Sequence, residues 1–194
     1  MNSNPFEISE LASKLNNGSL ALFPTDTLPA LCACPKHAKK IWTVKKRSLT
    51  KPLILMGGCL DDLFEFVKPC AIEDGLKMAK KYWPGALTII LPTNSHFSRY
   101  LNHNSNTLGL RVPDLKVARD LLLKTGPLAT TSANISGKIP VNDALEASIQ
   151  FPGIPILGPL PWPKSSGMAS TVVEWKDGKW ILLRAGSVEL EKFN

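Results

Sequence analysis

Apolar positions along the chain alternate between helical and strand spacing. Phe6, Ile8, Leu11, Ala12 and Leu15 recur at near-helical intervals, and Gly18 is placed to end that helix. Ser19 to Phe23 (SLALF) reads as a short apolar strand stopped by Pro24. Residues 36–47, KHAKKIWTVKKR, set Ala38, Ile41, Trp42 and Val44 among five Lys and one Arg. That pattern predicts an amphipathic helix whose terminal cations suit its C-terminal dipole. A loop carrying Lys51 leads to a strand over Leu53–Met56. Cys59–Val67 and Ile72–Lys81 read as two short helices separated by Pro69. The Pro84-Gly85 turn is followed by an apolar central strand, Ala86–Leu91. Residues 93–106, with Asn102, Asn104 and Asn106 and no period, read as a surface loop.

Thr107–Val112 is expected to be a strand with Arg111 inside it, 115–125 a helix, and Leu128–Thr130 a strand. Asn142 is placed to cap a helix through about Ile149. Phe151–Pro163 holds five prolines and must be irregular or only briefly extended. Ser170–Trp175 and Trp180–Leu183 flank Lys176-Asp177-Gly178-Lys179, a hairpin signal, with Arg184 ending the second strand. No internal repeat or low-complexity linker interrupts this α/β succession.

Composition narrows the picture. The 194 residues suffice for one sizeable core, and 1–194 reads as a single domain. With 44% hydrophobic and 20% charged residues the chain is globular and not disordered. No apolar run reaches the roughly 18 residues of a membrane span. The start, MNSNPFEISELASKL, has no secretory h-region, so a cytoplasmic location without membrane contact is expected. The net charge of +7 favours polyanion or nucleotide partners. Cys32, Cys34, Cys59 and Cys70 follow no zinc spacing and contain no CxxC, so they read as reduced packing residues. His37, His96 and His103 are scattered.

Four places carry candidate chemistry. Leu128–Gly137, LATTSANISG, places hydroxyl and amide side chains back to back at a strand end, where they can serve phosphate or carboxylate oxygens. A polar turn capping a helix would use the same residues. Pro24-Thr25-Asp26-Thr27 puts three oxygen-bearing side chains at another strand's carboxyl end, where open α/β sheets bind ligands. Lys45, Arg47 and Lys51 can aim cations at one place, although a KKR run is also an ordinary solvated face. Arg111 needs an anion inside its apolar strand, either Asp114 or a ligand carboxylate.

Taken in order, PTDT, Lys45-x-Arg47 with Lys51-Pro52-Leu53, WPGALTIILP, LGLRVPD, TSANISG, STVVE and LLRAG resemble the motifs of the YrdC/Sua5 family over roughly residues 10–188. The resemblance is to the short, single-domain form. It implies a twisted mixed sheet of parallel and antiparallel strands, flanked by helices, with a basic concave site. It also implies an L-threonylcarbamoyladenylate synthase, a nucleotidyltransferase joining L-threonine, bicarbonate and ATP with release of pyrophosphate. The product serves tRNA threonylcarbamoyladenosine modification through a downstream tRNA threonylcarbamoyltransferase complex, with double-stranded RNA or tRNA as further partners.

By resemblance, Lys45, Arg47, Ser132 and Asn134 are catalytic. Arg47, Lys51, Thr107, Ala133, Val141 and Arg184 match ATP-binding positions, Ala133 and Val141 acting through backbone or shape. Thr25, Thr27, Arg111, Thr131 and Ser170 match threonine-binding positions. Mg²⁺ is expected with ATP, its protein ligands unassigned. The chain departs from the family after PTDT, where Leu28-Pro29-Ala30-Leu31-Cys32 replaces Val-Tyr-Gly-Leu-Gly; Pro29 fixes φ and removes a donor, so another loop conformation is expected. Met56 stands where the family often has His. Two other classes fit the residues: a non-catalytic RNA-binding module of the same fold, and a related adenylate-forming enzyme with another amine substrate.

Overall fold

A computed structural model describes residues 5–93, 98–103 and 105–191. In chain order the elements are α1 (Ile8–Asn16), β1 (Ala21–Phe23), β2 (Ala30–Ala33), α2 (Lys39–Lys45), β3 (Ile54–Met56), α3 (Asp61–Phe64), α4 (Pro69–Tyr82), β4 (Leu87–Pro92), α5 (Ser98–Leu101), β5 (Thr107–Arg111), α6 (Lys116–Thr125), β6 (Leu128–Ser132), α7 (Ala144–Gln150), β7 (Thr171–Lys176) and β8 (Lys179–Arg184). One sheet takes all eight strands in the order β1-β2-β6-β3-β5-β4-β7-β8. The pairs β3–β5 and β4–β7 are parallel, and the other neighbours are antiparallel. This is the expected mixed α/β sheet.

Period-two alternation decides which face each residue takes. In β4, Leu87, Ile89 and Leu91 bury against the helices, while Thr88 and Ile90 face the other way into a cleft. In β5, Leu108 and Leu110 bury, while Thr107, Gly109 and Arg111 line the cleft. Ile41 and Trp42 of α2, Leu63 of α3 and Ala71 of α4 belong to the core on the first face. Side chains the size of Ile41 and Leu63 contribute roughly 1.5–3 kcal/mol each on burial. On the second face α1 and α6 cover one end only. There Leu11, Leu15, Leu121 and Leu122 pack with Ala21, Phe23, Leu128 and Met56. The uncovered remainder of that face is the floor of the cleft.

The expected strands all form, within a residue or two of their bounds, and the hairpin turn sits at Asp177 (φ 50°) and Gly178 (φ 77°), as a two-residue type I′ turn requires. Several expectations need correction. The stretch after PTDT is not merely a loop. Ala30–Ala33 forms β2, paired with β1 and β6, because Pro29 precedes the strand and gives up no ladder bond. Helix 36–47 is split into a 3-10 turn at Pro35–His37 and α2. It ends at Lys45 because Lys46 turns left-handed (φ 51°), with Lys46 N–H on Thr43 O and Arg47 N–H on Trp42 O. Pro69 opens α4 at its first position, where its missing N–H is harmless, and α3 keeps only Asp61–Phe64.

Asp143, not Asn142, caps α7, accepting the Glu146 N–H at 2.8 Å. The polar stretch 93–106 contains α5, held by Leu53 N–H on Leu101 O at 2.8 Å. His96 and Asn104 lie outside the described residues. The proline-rich stretch is irregular as expected, touching β1 through a Leu22–Ile156 bridge. Cys32 and Cys34 are buried, and burial pushes both thiols up, away from reactivity. Among the described residues no helix is long and apolar enough to cross a membrane.

Candidate functional site

The open half of the sheet and the loops at its edge enclose a cavity of ≈ 660 Å³. Strand register sets its floor. Thr130, Ile54, Gly109, Ile90 and Glu174 lie side by side across β6, β3, β5, β4 and β7. One step along, Met56 neighbours Arg111, Thr88 neighbours Val172, and Val172 neighbours Arg184. Gly109 keeps the middle of the floor flat. A Cβ there would stand 2.9 Å from Ile54 Cγ2 and 3.3 Å from Thr88 Cγ2. Gly109→Val is therefore expected to lower affinity for any ligand lying on the floor at least tenfold while the strand still forms, since β-branched residues suit strands. Calorimetry together with a thermal melt would check this.

Arg111 is buried at one end, where three of its N–H groups have partners. Its Nε donates to Gly85 O (3.0 Å), Nη1 to Thr27 Oγ1 (2.7 Å) and Nη2 to Asp26 Oδ1 (2.6 Å). Its ion-pair partner is thus Asp26 and not Asp114, which pairs with Arg119 at 3.0 Å. The reason is reach across the sheet. Asp26 follows β1 at the sheet's edge loop, and its side chain is 16% exposed against 66% for Asp114. Burial lowers the Arg111 pKa, and Asp26 opposes that shift. A guanidinium has five N–H groups, and three are committed here, leaving two for a substrate anion. Thr25 braces the same corner, bonding Thr27 Oγ1 at 3.0 Å and donating to Leu28 O at 2.7 Å. Thr131 lines the cavity and its hydroxyl has no hydrogen bond among the described residues.

At the opposite end Arg47 leaves the left-handed turn at Lys46 and reaches the cleft. Its Nη2 donates to Pro52 O at 3.1 Å, and its Nε is buried with no partner among the described residues. Burial lowers its pKa, yet a guanidinium stays charged at neutral pH. Lys51 and Thr107 line the same end. The Trp42 indole N–H holds the Lys51 backbone oxygen at 2.9 Å. Across β7, Ser170 Oγ bonds Thr88 Oγ1 at 2.8 Å, and Arg184 Nη2 donates to Ser170 O at 2.7 Å.

The cavity thus brings together ten of the residues singled out from the sequence: Thr25, Thr27, Arg47, Lys51, Thr107, Arg111, Thr131, Ser132, Ser170 and Arg184. Lys45, Asn134, Ala133 and Val141 do not line it. Lys45 is buried beneath the β6 end, where Nζ donates to Ser132 O and to Asn134 Oδ1 (3.3 Å). Asn134 Oδ1 also accepts from Ser132 Oγ at 2.7 Å. These three residues form a brace that fixes the Ser132 hydroxyl. Burial, aided by Arg47, pushes the Lys45 ammonium down to about 7. Ala133 is buried, and its N–H is already spent on Pro29 O at 2.8 Å, because β2 pairs where a free loop was expected. Val141 is packed in the core.

Sequence reading missed Asp26 as the anion for Arg111, and Glu174 and Thr88 as cleft residues. The alternation in LTIILP and STVVE placed Thr88 and Glu174 on the face of Ile90 and Val172, a signal that was present but not used.

A family model described as telomere recombination, for Sua5, YciO and YrdC proteins, matches residues 13–186. A threonylcarbamoyl-AMP synthase of Bacillus subtilis is 32% identical over 99% of this chain and 57% of its own length. A putative threonylcarbamoyl-AMP synthase of Methanocaldococcus jannaschii is 30% identical over 94% of this chain and 86% of its own. The crystal structure of Pyrococcus abyssi Sua5 complexed with L-threonine superposes with a TM-score of 0.84 at 30% identity, covering 92% of this chain and 54% of that one. The chain therefore spans little more than half the length of the first and the last of these relatives.

Proposed function

The chain belongs to the Sua5/YciO/YrdC family, and on that premise we propose that it joins L-threonine, bicarbonate and ATP into threonylcarbamoyl-AMP, releasing pyrophosphate. The observation that carries this reading is Arg47 Nε, a buried cationic N–H without an acceptor among the described residues, at the rim of a cavity with Arg111 at its other end. A buried donor left unpaired is costly, so a ligand oxygen is the natural partner. The complex of the Pyrococcus abyssi relative with L-threonine supports an amino acid as one ligand, and the buried guanidinium of Arg111 is the group suited to its carboxylate.

In this reading the two uncommitted N–H groups of Arg111 hold the threonine carboxylate, and Thr131 offers its free hydroxyl nearby. The deprotonated threonine amine attacks the carbon of bicarbonate, giving the carbamate and water, or of CO₂, giving the carbamate and a proton that passes to solvent. A carbamate oxygen then attacks the α-phosphorus of ATP, the bond to the bridging oxygen breaks, and pyrophosphate leaves. No side-chain nucleophile is required; positioning and charge compensation by Arg47, Lys51 and Arg184 supply the catalysis. Lys45 and Asn134 act from behind, by holding Ser132 toward the reacting groups.

The donor set suits magnesium carried on the triphosphate. Glu174 is the only carboxylate among the described lining residues, and no group of three His, Cys, Asp or Glu among them could cage an ion. Magnesium ordinarily keeps several waters and uses substrate phosphates as ligands. It would supply neutralisation of phosphate charge, and the hydroxyls of Ser105 and Thr107, 3.0 Å apart, would meet its water shell.

Mass spectrometry of the products after incubation with ATP, bicarbonate and each of several amino acids tests the reading; threonine-independent pyrophosphate release would sink it. Arg47→Ala should weaken ATP binding by about 1.5–3 kcal/mol, the scale of a hydrogen bond to a charged group. Unchanged affinity in calorimetry would make Arg47 a solvated helix end. The +7 charge and the exposed Lys36, Lys39, Lys40 and Lys46 favour a second reading, a module binding tRNA or other double-stranded RNA. Salt-sensitive RNA binding without pyrophosphate release would select it. In the first reading the adenylate passes to a tRNA threonylcarbamoyltransferase complex.

A further inference from the structure

Glu174 is out of place in an anion-binding cavity. It is half-buried on β7 and faces a cleft whose other charged side chains are Arg47, Lys51, Arg111 and Arg184. Unlike Asp26, which is consumed by Arg111, Glu174 has neither hydrogen bond nor ion pair among the described residues. Arg184, on the neighbouring strand, donates to Ser170 instead. An ionised carboxylate only accepts hydrogen bonds, so its ligand must bring donors and not phosphate oxygens.

Its position fits one such donor set. Glu174 lies level with Ile54, Gly109 and Ile90, at the far end of that row. Three strand spacings, about 14 Å, separate it from Ile54 on the side where Arg47 and Lys51 gather. The β- and γ-phosphates are drawn to those cations and repelled by Glu174, and the α-phosphate, next to the ribose, is left to Arg184, which stands beside Val172. The nucleoside of the same molecule then falls over the apolar floor of Ile90 and Val172, which Gly109 keeps flat. The ribose carries a vicinal pair of hydroxyls, two donors that a carboxylate can take with its two oxygens. From this we propose that Glu174 is a specificity residue that recognises the ribose 2′ and 3′ hydroxyls of the bound nucleotide. The proposal rests on the nucleotide reading of the cavity given above.

The test compares calorimetric affinities of the wild-type protein and Glu174→Gln for ATP and for 2′,3′-dideoxy-ATP. The wild type should prefer ATP about tenfold or more, the scale of a charge-assisted hydrogen bond. Glu174→Gln should bring the preference close to one, mainly by weakening ATP, and a thermal melt should show it folded. Arg47→Ala should weaken both nucleotides alike and keep the preference. Equal affinity of the wild type for both nucleotides overturns the ribose assignment even if Glu174→Gln fails to fold. A preference that survives in folded Glu174→Gln overturns it as well. Equal weakening of both nucleotides in Glu174→Gln, seen only with magnesium present, would assign the carboxylate to the metal and also overturns it. Failure of the wild type to bind either nucleotide would instead strike at the nucleotide reading itself.

Discussion

Arg111→Met is expected to destabilise the protein by about 3–5 kcal/mol, because it strands a buried Asp26 carboxylate without its cation. The side chains of the pair are 4% and 16% exposed, so little solvent screening softens the loss. Thr27 Oγ1 and Gly85 O lose their donors at the same stroke. Adding Asp26→Asn should recover much of that stability, since an amide tolerates a neutral neighbour where a carboxylate does not. Chemical denaturation of the two single variants and the double variant gives the coupling directly. Strict additivity, with no recovery in the double variant, would mean that Asp26 finds water or another donor and that the pair is not the brace of this corner. The recovered double variant should nevertheless remain inactive with threonine, because the carboxylate fork is gone. That separates the structural task of Arg111 from its proposed task in binding.

The second large effect belongs to Lys45. Its folded pKa of about 7 lies below the ordinary 10.5. Between those values the unfolded chain holds the proton and the folded chain does not. Stability must therefore rise with pH across that window and is lowest, as far as Lys45 contributes, below it. The interval bounds the rise at roughly 5 kcal/mol. Lys45→Met removes the titrating group, so the stability of the variant minus that of the wild type should fall steadily from pH 7 to pH 10. A difference independent of pH would show that Lys45 stays charged when folded, held so by Ser132 O and Asn134 Oδ1.

Much of this was legible in the sequence. The apolar residues of TLGLR and LTIILP predicted both strands; the two faces that a half-covered sheet enforces lay in the same alternation, although Thr88 was not assigned to the cleft from it. The hydroxyl-rich strand end at Thr130–Asn134 and the cations around Arg47 were visible as residue types, and the fold does bring Ser132 and Arg47 to one cavity. What stayed hidden was pairing across the sheet. Asp26 and Arg111 are 85 residues apart, and no local pattern favours that partner over the nearby Asp114. β2 was hidden because Leu28-Pro29-Ala30 carries turn residues, and its pairing with β6 is a tertiary fact that overrides local propensity. Lys45 read as one cation of a run, and only the left-handed Lys46 sends it under the floor while Arg47 goes above.

The last strand of the sheet has a consequence for binding. Among the described residues β8 has only one neighbouring strand, and Ile181, Leu182 and Leu183 on it are 42%, 52% and 52% exposed. Such an edge opens by local fraying at a free-energy cost well below that of global unfolding. Yet it is the strand that carries Arg184 to Ser170 and so completes one wall of the cleft. Whatever anion settles on Arg184 must bind the closed edge and not the frayed one, so the two equilibria are linked by mass action. The bound ligand acts as a clasp for the margin of the sheet, and its observed affinity already contains the work of keeping that margin shut.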